Sequence, residues 1–162
     1  MKEYEHSFKV KSILPYLEYC KQNGYTEFDA VTQNRVVYEN SNSDHIIARI
    51  TTETVGEGKE RIVFDCKNVG SKRKDLNISS ESIPMELTEE TKKIVLSMLE
   101  VLEFYVAADN LRTRYIFKKE GVTFEIDDYI RPQTQVVAIE GKEEAVEKVY
   151  SDILSKINNI IK

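Results

Sequence analysis

Alternation between charged and apolar residues is the feature that most limits what this chain can fold into. In the opening segment KEYEHSFK, the residues between the charged ones are mostly aromatic, and one side of the segment carries Glu3, Glu5, Ser7 and Lys9. A period of two is the pattern of a β-strand with one face in a core. An amphipathic strand needs only ordinary polar residues on its second face, so two acids and a base there raise the question of a binding site.

The same pattern recurs in five later segments. One face of each is apolar, and the other carries Arg49 and Thr51 in HIIARIT, Arg61, Asp65 and Lys67 in RIVFDCK, Arg112 and Arg114 in LRTRYIFK, Glu125 and Asp127 in TFEID, and Ala138 and Glu140 in QVVAIE. Two interpretations stay open: a sheet with one wet face, or a barrel with a charged lumen. Arginine and lysine bind phosphate oxygens, and clustered carboxylates bind hard divalent cations, so such a lumen would suit a polyphosphate.

The order of segments predicts an α+β protein. About eight strands are joined mostly by short turns, and helical spacing of apolar residues predicts three helices, over residues 12–23, 87–108 and 142–161. Short connections favour antiparallel pairing, and eight antiparallel strands can close into a barrel. The 162 residues are expected to form a single domain over 1–162.

Composition excludes several classes of protein. Apolar residues make up 41% and charged residues 31%, as in a globular chain. The net charge of −5 argues against broad binding to a nucleic-acid backbone. No apolar run reaches membrane-spanning length and the first residues lack the apolar segment of a signal peptide, so we expect no membrane association and a cytoplasmic location. Cys20, Cys66, His6 and His45 lack metal-ligand spacing and are expected to be structural.

Taken in order, the segments resemble the CYTH superfamily, also called triphosphate tunnel metalloenzymes. This superfamily includes class IV adenylate cyclases, thiamine and inorganic triphosphatases, and an RNA triphosphatase type. Glu3 and Glu5 match its opening Glu-x-Glu, and the later matches are Arg49 in ARIT, Lys67 in FDCK, Arg112 and Arg114 in LRTRY, Asp127 in FEID and Glu140 in VAIEG. The resemblance covers nearly the whole chain and implies an eight-stranded antiparallel β-barrel, a charged tunnel flanked by helices.

The resemblance also implies a site. Mg²⁺ or Mn²⁺ would be held by Glu3, Glu5 and Glu140, and Glu5, Glu140 and Asp127 would be the catalytic acids. The phosphates would be bound by Lys9, Arg49, Lys67, Arg112 and Arg114. The ligand would be a triphosphate-containing small molecule or nucleotide, namely inorganic triphosphate, a nucleoside triphosphate or thiamine triphosphate, with an RNA 5′ end as a further partner.

Three positions depart from the family pattern. Ser7, Thr51 and Ala138 stand where the family has a lysine, an arginine and a glutamate. Lys9 is a candidate replacement for the first and Glu81 an additional acid, while the basic run Lys72, Arg73 and Lys74 is expected to be a solvated loop or a tunnel mouth. The departures keep four functions open: a metal-dependent triphosphatase, a class IV-type adenylate cyclase, a polyphosphate-binding module without turnover, and a structural domain. The sequence carries no motif for adenine and predicts no oligomeric state.

Overall fold

The structure is a computed structural model and describes residues 2–73 and 76–162. The strands are β1 Lys2–Lys9, β2 Thr26–Glu27, β3 Val31–Asn40, β4 Ser43–Val55, β5 Glu60–Arg73, β6 Leu76–Glu81, β7 Met85–Leu87, β8 Phe104–Lys119, β9 Val122–Arg131 and β10 Thr134–Gly141. The helices in these ranges are α1 Leu14–Gln22, α2 Glu89–Val101 and α3 Glu143–Lys156. The prediction for the side chains of Lys72, Arg73 and Lys74 lies outside the described residues.

Eight of the strands close into an antiparallel barrel. Their order is β8-β3-β4-β5-β6-β1-β10-β9, and β9 pairs back onto β8 through partners such as Arg114 and Asp127. The short strands β2 and β7 extend the sheet beside β8 and β5. Each of the eight strands pairs with a neighbouring strand on both of its sides within the described residues, and this closes the sheet into a barrel. The predicted α+β fold with an eight-stranded antiparallel barrel and three helices is confirmed.

The apolar strand faces point outward, under the helices. Phe124, Ile126, Val137 and Ile139 are fully buried in one core that also contains residues of α1 and α3. On another part of the wall, strands β4 and β5 pack with α2, and this second core contains Ala48, Ile50, Ile62, Leu87, Val95 and Leu99. Because successive side chains of a strand alternate sides, burying these residues outside turns their charged neighbours into the barrel.

The second predicted helix was too long. It ends at Val101, and the residues from Phe104 onward belong to β8, which pairs with β3 up to Asn40. Glu103 has a φ of 62°, a left-handed conformation that ends the helix, and the aromatic and β-branched residues after it suit a strand. Of the apolar residues whose spacing predicted this helix, Val95 and Leu99 are buried, whereas Ile94, Met98, Leu102 and Val106 are exposed.

The third predicted helix also ended too late. α3 ends at Lys156, Ile157 is extended, and Ile160 forms a β-bridge with Val10. The Tyr16 hydroxyl of α1 donates to Asn159 Oδ1 at 2.6 Å, which fixes this last segment across α1. None of the helices in the described ranges is long and apolar enough to cross a membrane.

The cysteines and histidines lie outside the cavity described below. Cys20 is buried in the core beside α1, and its burial raises the pKa of the thiol to about 12, so it is an inert thiol. His6 is buried, stacks on Tyr150 with ring centroids 3.8 Å apart, and lies 3.2 Å from Glu147 Oε1. Cys20 and His6 therefore have packing roles.

Candidate functional site

The barrel encloses a cavity of about 450 Å³ lined by the inward faces of its strands. Charged side chains dominate this lining, as the alternation predicted. The basic ones are Arg35, Arg49, Arg61, Lys67, Arg112 and Arg114, and the acidic ones are Glu3, Glu5, Glu53, Asp65, Glu81, Glu125, Asp127 and Glu140. Every site residue predicted from the sequence lines the cavity except Lys9, which is exposed at the end of β1.

The two signs of charge occupy different sides of the barrel. The six basic residues of the described lining all lie on the adjacent strands β8, β3, β4 and β5, which we call the basic wall. Six of the eight acids lie on the other four strands, β6, β1, β10 and β9, which we call the acidic wall. Glu53 and Asp65 are the acids on the basic wall. Carboxylates and bases are thus largely separated within the described part of the barrel.

One seam between the walls runs along β5 and β6. Arg49 Nε donates to Asp65 at 2.8 Å, its Nη2 donates to Glu81 Oε1 at 3.0 Å, and Lys67 Nζ lies 3.1 Å from the same Glu81 oxygen. Burial opposes the charge of Lys67, but Glu5, Glu3 and Glu81 outweigh it and raise the pKa of the ammonium group. Glu81, the candidate additional acid, therefore faces the cavity and bridges two bases.

The other seam runs along β8 and β9. Arg114 donates to both oxygens of Asp127, at 2.7 and 2.8 Å, and Arg112 Nη1 lies 3.3 Å from Asp127 Oδ2. All three residues are buried. Asp127 therefore orients two arginines. Its predicted role as a catalytic acid stays a prediction.

Arg35 is the functional candidate that sequence reasoning missed. It lies on β3, lines the cavity, and donates from Nε to Thr51 Oγ1 at 2.9 Å. Within the described residues, no carboxylate oxygen lies within ion-pair distance of its guanidinium. Burial, followed by repulsion from Arg112, Arg114 and Arg49, lowers the pKa of Arg35 to about 9. The sequence contained an indication of this position, because Gln33 and Arg35 are two residues apart and share one face of β3. The apolar run VVY that follows interrupts the alternation and hides the pattern.

The acidic wall has the opposite imbalance. Glu5 and Glu140 are directly opposite each other on β1 and β10, and Glu140 shares a hydrogen bond with Glu3. Burial, then repulsion from Glu125, Glu3 and Glu5, raises the pKa of Glu140 to about 10. Burial is also the largest cause of the raised pKa of Glu5, although Lys67 opposes it. These carboxyl groups lack enough positive charge around them.

The same carboxyl groups have the chemistry of a hard-cation site. Oxygen donors with excess negative charge suit Mg²⁺ or Mn²⁺. In the part of the chain that the structure describes, however, no three His, Cys, Asp or Glu side chains are already arranged as a metal-binding group. The donor set of Glu3, Glu5 and Glu140 therefore fits a divalent cation in chemical type, and binding one would require their side chains to turn toward a common point.

Similar solved structures place this architecture among known folds. No family model and no curated protein matches the chain. The PH1819 protein of Pyrococcus horikoshii has a TM-score of 0.71 at 20% identity, covering 98% of this chain and 93% of its own. A candidate adenylyl cyclase from Hippeastrum, described as having a dominant triphosphatase activity, has a TM-score of 0.66 at 13% identity, with coverage of 95% and 87%. The chain therefore shares the fold of these structures.

The shared fold by itself does not give a reaction. A chain of the Schizosaccharomyces pombe Mediator head module has a TM-score of 0.70 at 11% identity, covering 99% of this chain and 98% of its own. Neighbours described as a triphosphatase and as part of the Mediator head thus have similar barrels. Activity has to be argued from the cavity residues of this chain.

The three departures from the CYTH pattern all lie on the cavity surface. Ser7 and Ala138 are cross-strand partners on β1 and β10, so the absent lysine and the absent glutamate would have been neighbours. Because one of these two missing residues is basic and the other acidic, the absence of both leaves the net charge of the cavity unchanged. Lys9 does not replace the lysine at Ser7, because it is exposed and is not among the described residues that line the cavity. Thr51 is the cross-strand partner of Arg35.

Proposed function

We propose that this protein is a divalent-metal-dependent hydrolase of a small triphosphate-containing substrate. The observation that supports this most is that two walls of opposite charge face one cavity, and each has an excess of its own sign. A triphosphate bound together with a divalent cation carries both of the missing counter-charges. Neither a purely cationic nor a purely anionic ligand would neutralise both walls.

The bases would hold the phosphates. Lys67, Arg49, Arg112 and Arg114 are fixed by their carboxylate partners and aim into the cavity, where guanidinium groups bind phosphate oxygens in a fixed geometry. Their positive charge would stabilise the negative charge that develops during phosphoryl transfer. Asp127 would act by orienting Arg112 and Arg114.

The acids would hold the metal and take a proton. Glu3, Glu5 and Glu140 would be the ligands of Mg²⁺ or Mn²⁺, and the cation would supply charge neutralisation and lower the pKa of a bound water. Water would attack the γ-phosphorus as the bond to the bridging oxygen breaks. A Glu5 carboxylate, whose pKa is raised by burial, would be placed to accept the proton of that water.

Small triphosphates are preferred over an RNA 5′ end as substrates. The basic groups lie inside the barrel and the net charge of the chain is −5, which opposes binding of a long phosphate backbone. Inorganic triphosphate, nucleoside triphosphates and thiamine triphosphate all present the same three phosphates to the cavity. The expected cytoplasmic location stays a prediction.

A binding module without turnover is the second candidate function. Ser7, Thr51 and Ala138 remove charged groups that the resemblance implies, and a weaker metal or phosphate site would still bind a polyphosphate. The cyclase alternative uses the same ligands but also needs a site for adenine, for which the sequence contains no motif.

Phosphate release separates these functions. The protein would be incubated with inorganic triphosphate, ATP or thiamine triphosphate and Mg²⁺ or Mn²⁺, with cyclic AMP assayed in parallel. Metal-dependent phosphate release supports the hydrolase, and cyclic AMP with pyrophosphate supports the cyclase. Calorimetric binding of inorganic triphosphate without turnover of any substrate supports the binding module. An absence of both binding and turnover overturns the proposed function.

A further inference from the structure

We infer that Arg35 binds a phosphate group of the substrate, and that it supplies from β3 the guanidinium that position 51 on β4 lacks. The inference rests on the proposed function, because it assigns an anion subsite within the same cavity. The resemblance places an arginine at the position of Thr51 and assigns no role to position 35. The positive charge would thus lie on β3 instead of the neighbouring strand β4, at the same level of the barrel.

The register places Arg35 over Thr51. The two residues are direct cross-strand partners of β3 and β4, and Arg35 Nε donates to Thr51 Oγ1 at 2.9 Å. Opposite residues on one face of a sheet have neighbouring side chains. The Thr51 hydroxyl therefore orients the guanidinium of Arg35, and the short threonine side chain leaves room for it. Both residues line the cavity.

The neighbours of Arg35 do not neutralise it. Arg49 is paired with Asp65 and Glu81, and Arg114 is paired with Asp127 and Glu125. No comparable carboxylate partner of Arg35 is found in the described ranges, and the bases around it repel its charge. The strong preference of a guanidinium for an anion is therefore unsatisfied at this point of the basic wall.

A second arginine near Arg35 has a guanidinium nitrogen without a hydrogen-bond partner in the described part of the chain. Arg112 lies on β8, which pairs with β3 on the side away from β4, and its Nε donates to Gln33 Oε1 at 2.9 Å. Its Nη2 is buried and has no hydrogen-bond partner among the described residues. Buried donors are normally satisfied, so an unused one in a cavity indicates a ligand. Phosphate oxygens would accept from Arg112 Nη2 and from Arg35.

Binding of inorganic triphosphate tests the subsite. Arg35→Thr should weaken the affinity measured by calorimetry by roughly 10- to 100-fold, the usual effect of losing a hydrogen-bonded charge. Arg35→Lys should recover part of this loss, because lysine restores the charge but not the planar fork. The matched control is Arg131→Thr, which removes an exposed arginine paired with Asp109 outside the cavity lining and should leave the affinity unchanged.

The exchange of the two partners tests the position of the charge. Arg35→Thr combined with Thr51→Arg puts the guanidinium back on β4, and its affinity should return to within about threefold of the wild type. A double variant as weak as Arg35→Thr would overturn the compensation between the two positions. Without ligand, Arg35→Thr should melt at a higher temperature than the wild type, because it removes an unneutralised buried charge, and should show a smaller rise in melting temperature with triphosphate.

The outcomes distinguish this inference from the proposed function. If the wild type does not bind inorganic triphosphate, the proposed function and the subsite both fail. If the wild type binds and Arg35→Thr binds equally well, the subsite alone fails. If Arg35→Thr weakens binding in a protein that shows no turnover, the subsite stands and the hydrolase fails.

Discussion

The acidic and basic walls of the cavity show opposite electrostatic imbalances. On the acidic wall, burial and like charge raise the pKa of Glu140 to about 10, and on the basic wall they lower the pKa of Arg35 to about 9. Both shifts disfavour the charged form. If the cavity only paired its own acids with its own bases, neither wall would retain such a residue. This comparison supports the proposal that the cavity binds a ligand of mixed charge.

The seams show what neutralised charges look like in the same cavity. Asp127 and Arg114 are mutually paired by two hydrogen bonds, and burial of Arg114 is outweighed by Glu125 and Asp127, which raise the pKa of its guanidinium. The seams therefore fix the geometry of the barrel interior, whereas the proposed function assigns Glu140 and Arg35 to the ligand.

The largest expected effect comes from removing charge on the acidic wall. Glu3→Gln combined with Glu5→Gln should lower metal-dependent phosphate release by roughly 100-fold or more, since ligand carboxylates hold and orient the metal. Affinity for inorganic triphosphate without metal should stay the same or increase. Circular dichroism would check that the fold is kept. Unchanged metal-dependent activity in a folded double variant would reject the assigned metal ligands.

Replacing an acid that pairs with arginines and replacing an acid of the acidic wall should change the free energy of unfolding by different amounts. Asp127→Asn should lower the free energy of unfolding by about 3–5 kcal/mol, because two buried arginines lose their carboxylate. Glu140→Gln should leave it within about 1 kcal/mol of the wild type, because a carboxyl group with a pKa of about 10 is already protonated at pH 7 and glutamine imitates it.

Urea unfolding at pH 7 measures both variants. An equal loss for Asp127→Asn and Glu140→Gln would contradict the distinction between the seams and the acidic wall.

Releasing the bases at the β5–β6 seam should have a smaller effect. Glu81→Gln removes the carboxylate that Arg49 and Lys67 share. Arg49 keeps Asp65 and Lys67 keeps Glu3, but each base has one competing carboxylate fewer and is more available to phosphate oxygens. The affinity for inorganic triphosphate should rise about two- to fivefold, the size of a partly exposed ion pair. Calorimetry measures this, with Glu39→Gln as the matched control because Glu39 is an exposed acid that is not among the described residues lining the cavity. Weaker binding by Glu81→Gln would mean that Glu81 positions the bases more than it competes for them.

The smallest expected effect is a change of affinity with pH. Binding of phosphate favours charged Arg35, so its contribution should be full below its pKa of about 9 and decline as the pH rises through that value. The groups that act on Arg35 are Arg112 and Arg114 on β8, Arg49 on β4 and Glu125 on β9. Metal-free affinity for triphosphate should therefore fall more steeply between about pH 8 and 10 in the wild type than in Arg35→Thr. Parallel pH profiles would contradict this.

The sequence predicted elements best where alternation was strict. Phe124, Glu125, Ile126 and Asp127 alternate without interruption, and the structure puts the apolar pair in the core and the acids in the cavity. Residues 104–108 were placed in a helix, because the apolar spacing of α2 continues into them. Pairing with β3 decided otherwise, and such long-range pairing leaves no local pattern.

The sequence by itself determined the sign of most charges in the cavity and the strand face on which each one lies, since the strand period of two fixes which residues share a face. The resemblance added the closed barrel and the positions of Glu3, Glu5, Lys67 and Glu140. Only the tertiary structure decided which charges neutralise one another. Strand register joined Asp127 to Arg114, placed Arg35 over Thr51 and set Ser7 opposite Ala138, and no local pattern of residues fixes a register between distant strands.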